Sequence, residues 1–183
     1  AIKELVGQGV EAIAISFLWS FYNQKNELRA QELVKDIDPS IYTSISSHIA
    51  PTPGEYERTS TTVINAYAGD IARNYIENLA DLLKNNKYAG PVMIMQGYGG
   101  LLLASEAANR AIGMLECGPA AGVIGSKALG ELLDQKDVIA TDMGGTTFKV
   151  SVIQGGQIEY AREPMIDRFH YTQPKIEVVS IGA

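Results

Sequence analysis

The stretch DVIATDMGGTTFKVSVI, residues 137–153, decides the fold. Its two apolar, β-branched runs predict strands at Val138–Thr141 and Phe148–Ile153. Between them stand the carboxylate of Asp142 and a turn of two glycines and two threonines, residues 144–147. Glycine permits positive φ and a close approach of the backbone to a ligand, so the amides of such a turn can converge on an anion. The stretch therefore predicts a phosphate-binding turn between two strands.

The turn offers three kinds of group to a nucleotide. The backbone amides of Gly144, Gly145 and Thr146 are expected to contact phosphate, and the hydroxyls of Thr146 and Thr147 to assist. Asp142 is expected to hold Mg²⁺ through water, because this cation takes few protein carboxylates and keeps waters and phosphate oxygens around it. The alternative is a plain β-hairpin, in which the glycines only reverse the chain and the carboxylate bonds to turn amides.

The segment before the first strand, ECGPAAGVIGSKALGELL at residues 116–133, favours the phosphate-binding interpretation. It predicts a helix with Pro119 in its first turn, where the fixed φ of proline is suitable. Several small residues of this helix are expected to let it approach another backbone closely; they are Ala120, Ala121, Gly122 and Gly125. A plain hairpin does not need a helix of small residues directly before D-x-G-G-T. The presence of this helix therefore favours a phosphate-binding turn.

This pair of segments resembles the second phosphate-loop half of the actin, sugar-kinase and heat-shock-chaperone ATPase superfamily. Within that superfamily, GPAAGVIGSKALG with TDMGGTTFKVSVI is similar to the N-methylhydantoinase A-like members of the hydantoinase/oxoprolinase family. Three further segments occur in the same order as in that family: EYERTSTTVINAY (residues 55–67), VMIMQGYGG (92–100) and VVSIGA (178–183). The resemblance therefore spans nearly all of the chain.

The resemblance implies an α/β fold, a mixed sheet flanked by helices, forming the second half of an actin-like ATPase module. Residues 1–50 are then the C-terminal remnant of a preceding hydantoinase/oxoprolinase N-terminal domain, and residues 51–183 a hydantoinase A-type ATPase domain truncated at its C-terminus. The first phosphate loop is expected in an earlier domain, so the sequence is interpreted as an excised piece of a longer protein. Apolar faces meant for the missing parts are expected to favour a homodimer.

The resemblance also implies a function. The chain is expected to be part of one subunit of an ATP-dependent cyclic-amide hydrolase of hydantoinase or oxoprolinase type, with ATP and Mg²⁺ as cofactors and a second, B-type subunit for a partner. Asp142 and Thr147 are the expected catalytic residues, while Gly118 and Gly122 are expected to support the phosphate loop and permit hinge motion. Two alternatives stay open: one subunit of an ATP-dependent ketone carboxylase of acetone or acetophenone type, and a non-catalytic scaffold that kept the fold.

Lys149 departs from the family pattern, which usually has Asp at this position. A charged lysine cannot ligate a metal, and this change keeps the scaffold alternative open. Strand alternation places Lys149 on the same face as Ser151. It can contact a phosphate oxygen as a point charge, or it can lie on the solvent face of the strand without a role. The sequence alone slightly favours the second interpretation.

Composition limits the class of protein. The 183 residues include 15 basic and 21 acidic ones, for a net charge of −6. Without a Lys/Arg-rich run, the expected partners are proteins and a small-molecule substrate, and neither nucleic acid nor an anionic membrane. The single cysteine, Cys117, excludes an internal disulfide and fits a reducing compartment. No run reaches about 18 apolar residues and no signal-type start is visible, so a cytoplasmic location is expected.

The other elements follow from hydrophobic periodicity and helix-start signals. Val10–Trp19 is predicted as a buried strand, residues 24–35 as a helix capped by Asn23, and Ile41–Ser47 as a strand that completes a βαβ-like unit. After the loop 96–100, a cap at Ser105 is predicted for the next helix. Because ligands lie at the carboxyl ends of strands in open α/β sheets, this loop is a candidate second wall of the site, the alternative being a flexible connection.

A long helix is predicted for residues 55–85, behind a capping box formed by Thr52 and Glu55. Apolar residues at steps of three and four predict its buried face; they are Val63, Ile64, Tyr67, Ile71, Tyr75, Leu79, Leu82 and Leu83. The run Thr59–Thr62 is a poor helix former, so its hydroxyls need either exposure or hydrogen-bond partners. Residues 163–176 show no clear period and are predicted as a loop.

Overall fold

The computed structural model describes residues 1–161 and 163–182. The chain forms two compact units, each built from several segments. The first contains Ala1–Val92, Leu103–Ile112 and Met165–Gln173, and the second contains Met93–Leu102, Gly113–Pro164 and Pro174–Ala183. The boundary predicted after residue 50 lies inside the first unit, and as a division between family domains it stays a prediction.

The first unit is built on a parallel βαβ arrangement, as predicted. Strand β1 (Ala12–Ile15) pairs in parallel with β2 (Tyr42–Ile45), and helix α2 (Lys25–Ile37) joins them. The short helices α1 (Ile2–Gly7) and α3 (Ser46–Ile49) precede β1 and follow β2. The hydrophobic core of this arrangement is aliphatic and consists of Ile13, Ile15, Val34, Ile41 and Ile45.

Strand β1 is shorter than the predicted strand Val10–Trp19. It ends at Ile15 because side chains take the backbone groups of Phe17: its N–H donates to Glu27 Oε1 (2.8 Å), and its carbonyl accepts from Arg58 Nη2 (2.8 Å). The N–H and the carbonyl of Phe17 therefore cannot form hydrogen bonds with a neighbouring strand. The apolar side chains that follow are exposed; they are Leu18, Trp19 and Tyr22. The prediction of a buried strand through residue 19 is therefore wrong.

Helix α4 (Glu55–Asn85) is as long as predicted, but it buries a different face. Most of the predicted apolar face is exposed, with Tyr67 at 87% and Ile71 at 75%. The buried residues are mainly polar or small: Arg58, Thr61, Thr62, Asn65, Ala66, Gly69 and Ile76. The Thr61 and Thr62 hydroxyls donate to the carbonyls four residues back, at 2.5 and 2.7 Å. These two hydroxyls of the run thus find partners within the helix, and the Thr59 hydroxyl pairs with the Ser16 hydroxyl outside it (2.9 Å).

Asn65 links α4 to two other segments of the first unit. Its Nδ2 donates to Ser44 Oγ (3.0 Å), and its Oδ1 accepts from the Ile112 N–H (3.1 Å). The side chain is fully buried. A polar residue is stable at this position because its amide satisfies groups that would otherwise be buried without partners.

The helix starts differ in part from their predicted caps. Helix α4 begins after Gly54 (φ 98°) without a side-chain cap, so the predicted box of Thr52 and Glu55 does not form. Helix α5 (Ala104–Ala107) begins before Ser105, which excludes that residue as its cap. Asn23 does accept a hydrogen bond from the Lys25 N–H at the start of α2 (3.2 Å).

The remaining strands are β3 (Met93–Met95), β4 (Leu101–Leu103), β5 (Val138–Met143), β6 (Thr147–Gln154), β7 (Gln157–Ile158), β8 (Met165–Ile166), β9 (Phe169–His170) and β10 (Val179–Gly182). In the second unit β10, β6 and β5 form an antiparallel sheet in that order, and β7 pairs antiparallel with the end of β6. Gly155 and Gly156 turn the chain between β6 and β7 with φ of 57° and 76°, both positive as a type I′ turn requires. The β8–β9 hairpin occupies part of the predicted loop 163–176.

Helix α6 (Cys117–Leu132) packs on β5 and β6. The core there consists of Ala120, Val123, Ile153, Ile176 and Val178. Helices pack on a parallel strand pair in the first unit and on an antiparallel sheet in the second, which confirms the predicted α/β class. The described strands form several small sheets. Within the described residues, no helix is both long enough and apolar enough to span a membrane.

Candidate functional site

A cleft of about 330 Å³ lies in the second unit, between α6 and the strands β5 and β6. Its lining comes from the small-residue helix and the D-x-G-G-T strands: Gly118, Pro119, Gly122, Val123, Ser126, Ala140, Thr141, Asp142, Lys149, Val150, Ser151 and Val178. The fold thus brings together Gly118, Gly122 and Asp142, three of the residues predicted for the site.

Strands β5 and β6 supply the charged wall of the cleft. In their antiparallel register Asp142 lies opposite Lys149, and Ala140 opposite Ser151. Side chains directly opposite each other share a face, with Cβ atoms about 4.5–5.5 Å apart. Lys149 therefore stands beside the carboxylate in the cleft, and its interpretation as a residue of the solvent face is wrong. The Ser151 hydroxyl donates to Glu177 O (2.7 Å), in the segment before β10.

Helix α6 supplies the wall of small residues. Gly118, Gly122 and Ser126 follow one another at steps of four, which puts them on one helical face. A Cβ added at Gly118, Gly122 or Gly125 would meet no heavy atom of the described residues within 4 Å. The close approach of another backbone that was predicted for Gly122 and Gly125 is therefore not found among the described residues. At Gly118 and Gly122 the missing side chain leaves space in the cleft instead.

The start of α6 is fixed by an ion pair. Glu116 precedes the helix in the left-handed region (φ 56°), and its Oε2 accepts a hydrogen bond from Lys175 Nζ. The left-handed conformation costs a non-glycine residue free energy, so the ion pair with Lys175 helps to hold Glu116 in it. Pro119 lies in the first turn, as predicted. The ion pair thereby helps to set where the helical wall of the cleft begins.

The D-x-G-G-T turn connects the two cleft-forming strands. The Gly144 N–H donates to Thr147 O (2.9 Å) and closes the hairpin, so this amide is not free for phosphate. The amides of Gly145 and Thr146 have no hydrogen-bond partner in residues 1–161 and 163–182. Neither glycine has a positive φ, so the expected left-handed conformation is not used here. Two of the three predicted amides remain available to a ligand.

The predicted turn residues themselves lie outside the cleft lining. Gly144, Gly145 and Thr146 are exposed, and Thr147 is half-buried. Thr147 precedes Lys149 by two positions on β6, so strand alternation puts it on the face that carries Asp142 and Lys149. A ligand that extends from the cleft along this face reaches the turn next.

The loop 96–100 packs inside the second unit. The Gly97 N–H donates to Gly113 O (2.6 Å), and Gly97 O accepts from the Ile176 N–H (2.9 Å). A Cβ at Gly97 would lie 2.2 Å from Leu115 O, so glycine is required for this approach. No residue of the loop is among those that line the cleft. The loop is therefore not a wall of this cleft, and its place in a nucleotide site stays a prediction.

The residues of the cleft fit a phosphate group with a hydrated cation. Among the described residues that line it, Asp142 and Lys149 are the only charged ones. Within the described residues, no group of three or more His, Cys, Asp or Glu side chains could hold a metal. Mg²⁺, which keeps waters and phosphate oxygens, fits a single carboxylate. The volume lies near the lower end of ligand pockets, about 300–1,000 Å³, and suits the phosphates more than a whole nucleotide.

Two hydroxyl residues of the cleft were missed by sequence reasoning. Ser126 lies four positions after Gly122, so the helical spacing of the small residues could have identified it. Thr141 lies next to Asp142, and no signal in the sequence marks it as a lining residue. Ser126 adds a neutral hydrogen-bonding group near the charged pair, whereas strand alternation puts the Thr141 side chain on the face opposite to Asp142.

Comparison with known proteins shows close relatives over the whole chain. The alpha subunit of caprolactamase from Pseudomonas jessenii is 32% identical over 183 residues, which cover 100% of this chain and 26% of that relative. A crystal structure of ATP-dependent caprolactamase from the same organism matches with a TM-score of 0.81 at 31% identity, over 100% of this chain and 26% of that one.

The nucleotide-free structure of acetone carboxylase, which is described as an enzyme of ATP-dependent acetone carboxylation, matches with a TM-score of 0.91 at 29% identity. This match covers 100% of the present chain and 26% of the other. The chain thus spans about a quarter of the length of these relatives. Residues 58–183 match the family described as hydantoinase/oxoprolinase. The chain belongs to the hydantoinase/oxoprolinase family.

Proposed function

We propose that this chain provides the nucleotide-phosphate site of one subunit in an ATP-dependent enzyme that hydrolyses a cyclic amide. The cleft carries the proposal, because it joins Asp142 of the D-x-G-G-T strand to Gly118 and Gly122 of the small-residue helix. These segments are separate in the sequence, and a phosphate site needs them together. Similarity to caprolactamase, an enzyme named for a cyclic amide, supports this substrate class.

The residues have distinct tasks in this proposal. Asp142 holds a hydrated Mg²⁺ through water, and the amides of Gly145 and Thr146 donate to phosphate oxygens. The hydroxyls of Thr146 and Thr147 assist from the same end of the strands. ATP would supply the phosphoryl group: on the amide oxygen of the substrate it makes the carbonyl carbon more electrophilic, so that water can add, the C–N bond can break with the nitrogen leaving as an amine, and inorganic phosphate is released. The protein contributes mainly positioning and charge stabilisation, which is where catalysis of phosphoryl transfer lies.

A second function is favoured by a separate observation. Acetone carboxylase gives a TM-score of 0.91, against 0.81 for caprolactamase. In a ketone carboxylase the same phosphate site would activate an enol oxygen or bicarbonate in place of an amide. The cleft serves both chemistries equally, because it holds the phosphates and not the second substrate.

Partner subunits belong to the proposal as well. The caprolactamase relative is named as an alpha subunit, and the present chain spans about a quarter of it. We infer that the active enzyme requires further parts of the same protein together with a second subunit. Homodimer formation and a cytoplasmic location stay predictions.

The test is ATP turnover by the full-length protein with its partner subunit, offered a lactam in one assay and acetone with bicarbonate in another. Asp142→Asn is expected to lower turnover by about 100-fold or more, as loss of one stabilising group at a charged transition state does. The matched control is Asp134→Asn, at an exposed aspartate (φ 53°) of the same unit that does not line the cleft. Turnover with neither substrate, or equal turnover in both variants, would reject the proposal.

A further inference from the structure

Asp142 and Lys149 form a pair of opposite charges that the cleft presents to a ligand. They are direct neighbours across the β5–β6 ladder, and both line the cleft. Asp142 is exposed and Lys149 is half-buried. Among the described residues, the ion pairs with N···O of 4.0 Å or less do not include this pair. The carboxylate and the ammonium are therefore close, yet each is open to another partner.

The rest of the cleft is uncharged. Its other lining residues are glycines, hydroxyl residues, proline, alanine and valine. The buried valines Val123 and Val178 give it apolar walls, which weaken the screening of charges by water. Among the described lining residues, only Asp142 and Lys149 are charged, so these two decide which charged ligands the cleft favours.

We propose that this pair makes the binding of a divalent cation and the binding of nucleotide phosphates depend on each other. A cation alone beside Asp142 is repelled by the Lys149 ammonium, and a phosphate alone beside Lys149 is repelled by the Asp142 carboxylate. The complex of cation and phosphate satisfies both charges at once. The inference rests on the proposed function. It adds that the cleft binds the metal–nucleotide complex more tightly than it binds the cation alone or the nucleotide alone.

Thermodynamic linkage makes the effect reciprocal. If the cation raises the affinity for the nucleotide by some factor, the nucleotide raises the affinity for the cation by the same factor. Couplings of this kind commonly amount to about 5- to 150-fold. Lys149 acts here as a specificity-determining residue, because its charge penalises the cation that arrives without phosphate.

The experiment measures binding by the full-length protein to Mn²⁺ alone, to ATP in the presence of a chelator, and to both together. Mn²⁺ stands for Mg²⁺ because both prefer oxygen ligands, and its free concentration is read by electron paramagnetic resonance. Lys149→Met removes the positive charge, and Lys149→Arg keeps it. Asp142→Asn removes the negative charge with little change of shape.

The variants are expected to change the two affinities in opposite directions. Lys149→Met binds Mn²⁺ alone at least about fivefold more tightly and chelator-treated ATP at least about fivefold more weakly, the low end of such couplings. Asp142→Asn does the reverse, and Lys149→Arg resembles the wild type. Damage to the fold would weaken both ligands together, so opposite signs distinguish a charge effect from a structural one.

The outcomes separate this inference from the proposed function. Wild-type protein that binds no Mn²⁺ and no ATP even when both are offered together, or whose Mn²⁺ binding in the presence of ATP survives Asp142→Asn unchanged, overturns both. Wild-type protein that binds both ligands and loses Mn²⁺ in Asp142→Asn supports the proposed function. If Lys149→Met then leaves Mn²⁺ binding unchanged or weakens it, the mutual dependence alone is refuted.

Discussion

Glu27 is a buried carboxylate that holds the loop after β1 and the start of α3 against α2. It accepts hydrogen bonds from the Phe17 N–H (2.8 Å), the Ser46 hydroxyl (2.6 Å) and the Ser47 N–H (2.8 Å). Burial by itself raises the pKa of Glu27, but the hydrogen bonds from Ser46, Ser47 and Phe17 outweigh it and leave the pKa below the ordinary value of 4.5. The fold therefore stabilises the ionised form.

We predict that Glu27→Gln destabilises the first unit by about 2–4 kcal/mol. The glutamine oxygen can replace Oε1, which serves Phe17 and Ser46, but its NH₂ group then faces the Ser47 N–H. One buried donor without an acceptor costs about 1–3 kcal/mol, and hydrogen bonds to a neutral acceptor are each about 1 kcal/mol weaker than those to a charged one. The substitution also removes the free-energy cost of burying the Glu27 carboxylate, and this offsets part of the destabilisation.

The assay is urea unfolding of the chain, followed by fluorescence of its single tryptophan, Trp19, which lies in the loop after β1. The matched control is Glu32→Gln on the same helix. Glu32 is exposed and pairs with Arg29 on the surface (2.9 Å), so its loss is expected to change the unfolding free energy by less than about 1 kcal/mol. Equal unfolding free energies for the two variants would refute the reasoning about Glu27.

Three further predictions test other parts of the fold. Because the pKa of Glu27 is lowered, its contribution to stability is present above pH 4.5 and lost as pH falls through the folded-state pKa; acid titration should show this loss in the wild type and not in Glu27→Gln. Asn65→Ala leaves the Ile112 N–H and the Ser44 hydroxyl unpaired and should cost about 2–5 kcal/mol in urea unfolding, whereas Asn74→Ala at an exposed site of α4 should change little. Gly97→Ala forces a Cβ to 2.2 Å from Leu115 O and should lower the melting temperature, whereas Gly125→Ala, in open space on α6, should raise stability by about 0.5–1 kcal/mol.

The strands and the turn of residues 137–153 could be predicted, because each is indicated by neighbouring residues in the sequence. The apolar, β-branched runs on either side of the glycine turn predicted the two strands around Asp142. Alternation also showed that Lys149 and Ser151 share a face. It could not show which face of the strands α6 covers, because both faces carry apolar residues. The position of Lys149 beside Asp142 became clear only from the packing of the helix and the register of the ladder.

The buried face of α4 could not be predicted from periodicity. Periodicity identifies an apolar stripe, and most of that stripe, including Tyr67 and Ile71, is exposed. The face that packs in the first unit contains Asn65, whose partners Ser44 and Ile112 are distant in the sequence. A buried polar residue is stable only when such partners are in place, and sequence spacing gives no sign of them.

The strand that follows Gly9 was overestimated for a related reason. Its apolar residues continue to Trp19, but Glu27 and Arg58 remove the backbone groups of Phe17 from the ladder. Hydrogen bonds from distant side chains ended the strand where hydrophobicity would have continued it.

The most direct test of the account is binding of Mg²⁺–ATP to the full-length protein after the cleft has been filled from the helix side. Gly122→Leu adds a side chain where a Cβ meets no atom within 4 Å, on the lining of the cleft. Gly125→Leu adds the same side chain to α6 with equal room and outside the lining. Calorimetry is expected to show that Gly122→Leu weakens binding by about tenfold or more, equivalent to about 1.4 kcal/mol, while Gly125→Leu binds like the wild type. Equal binding by both variants would contradict the claim that this cleft holds the nucleotide phosphates.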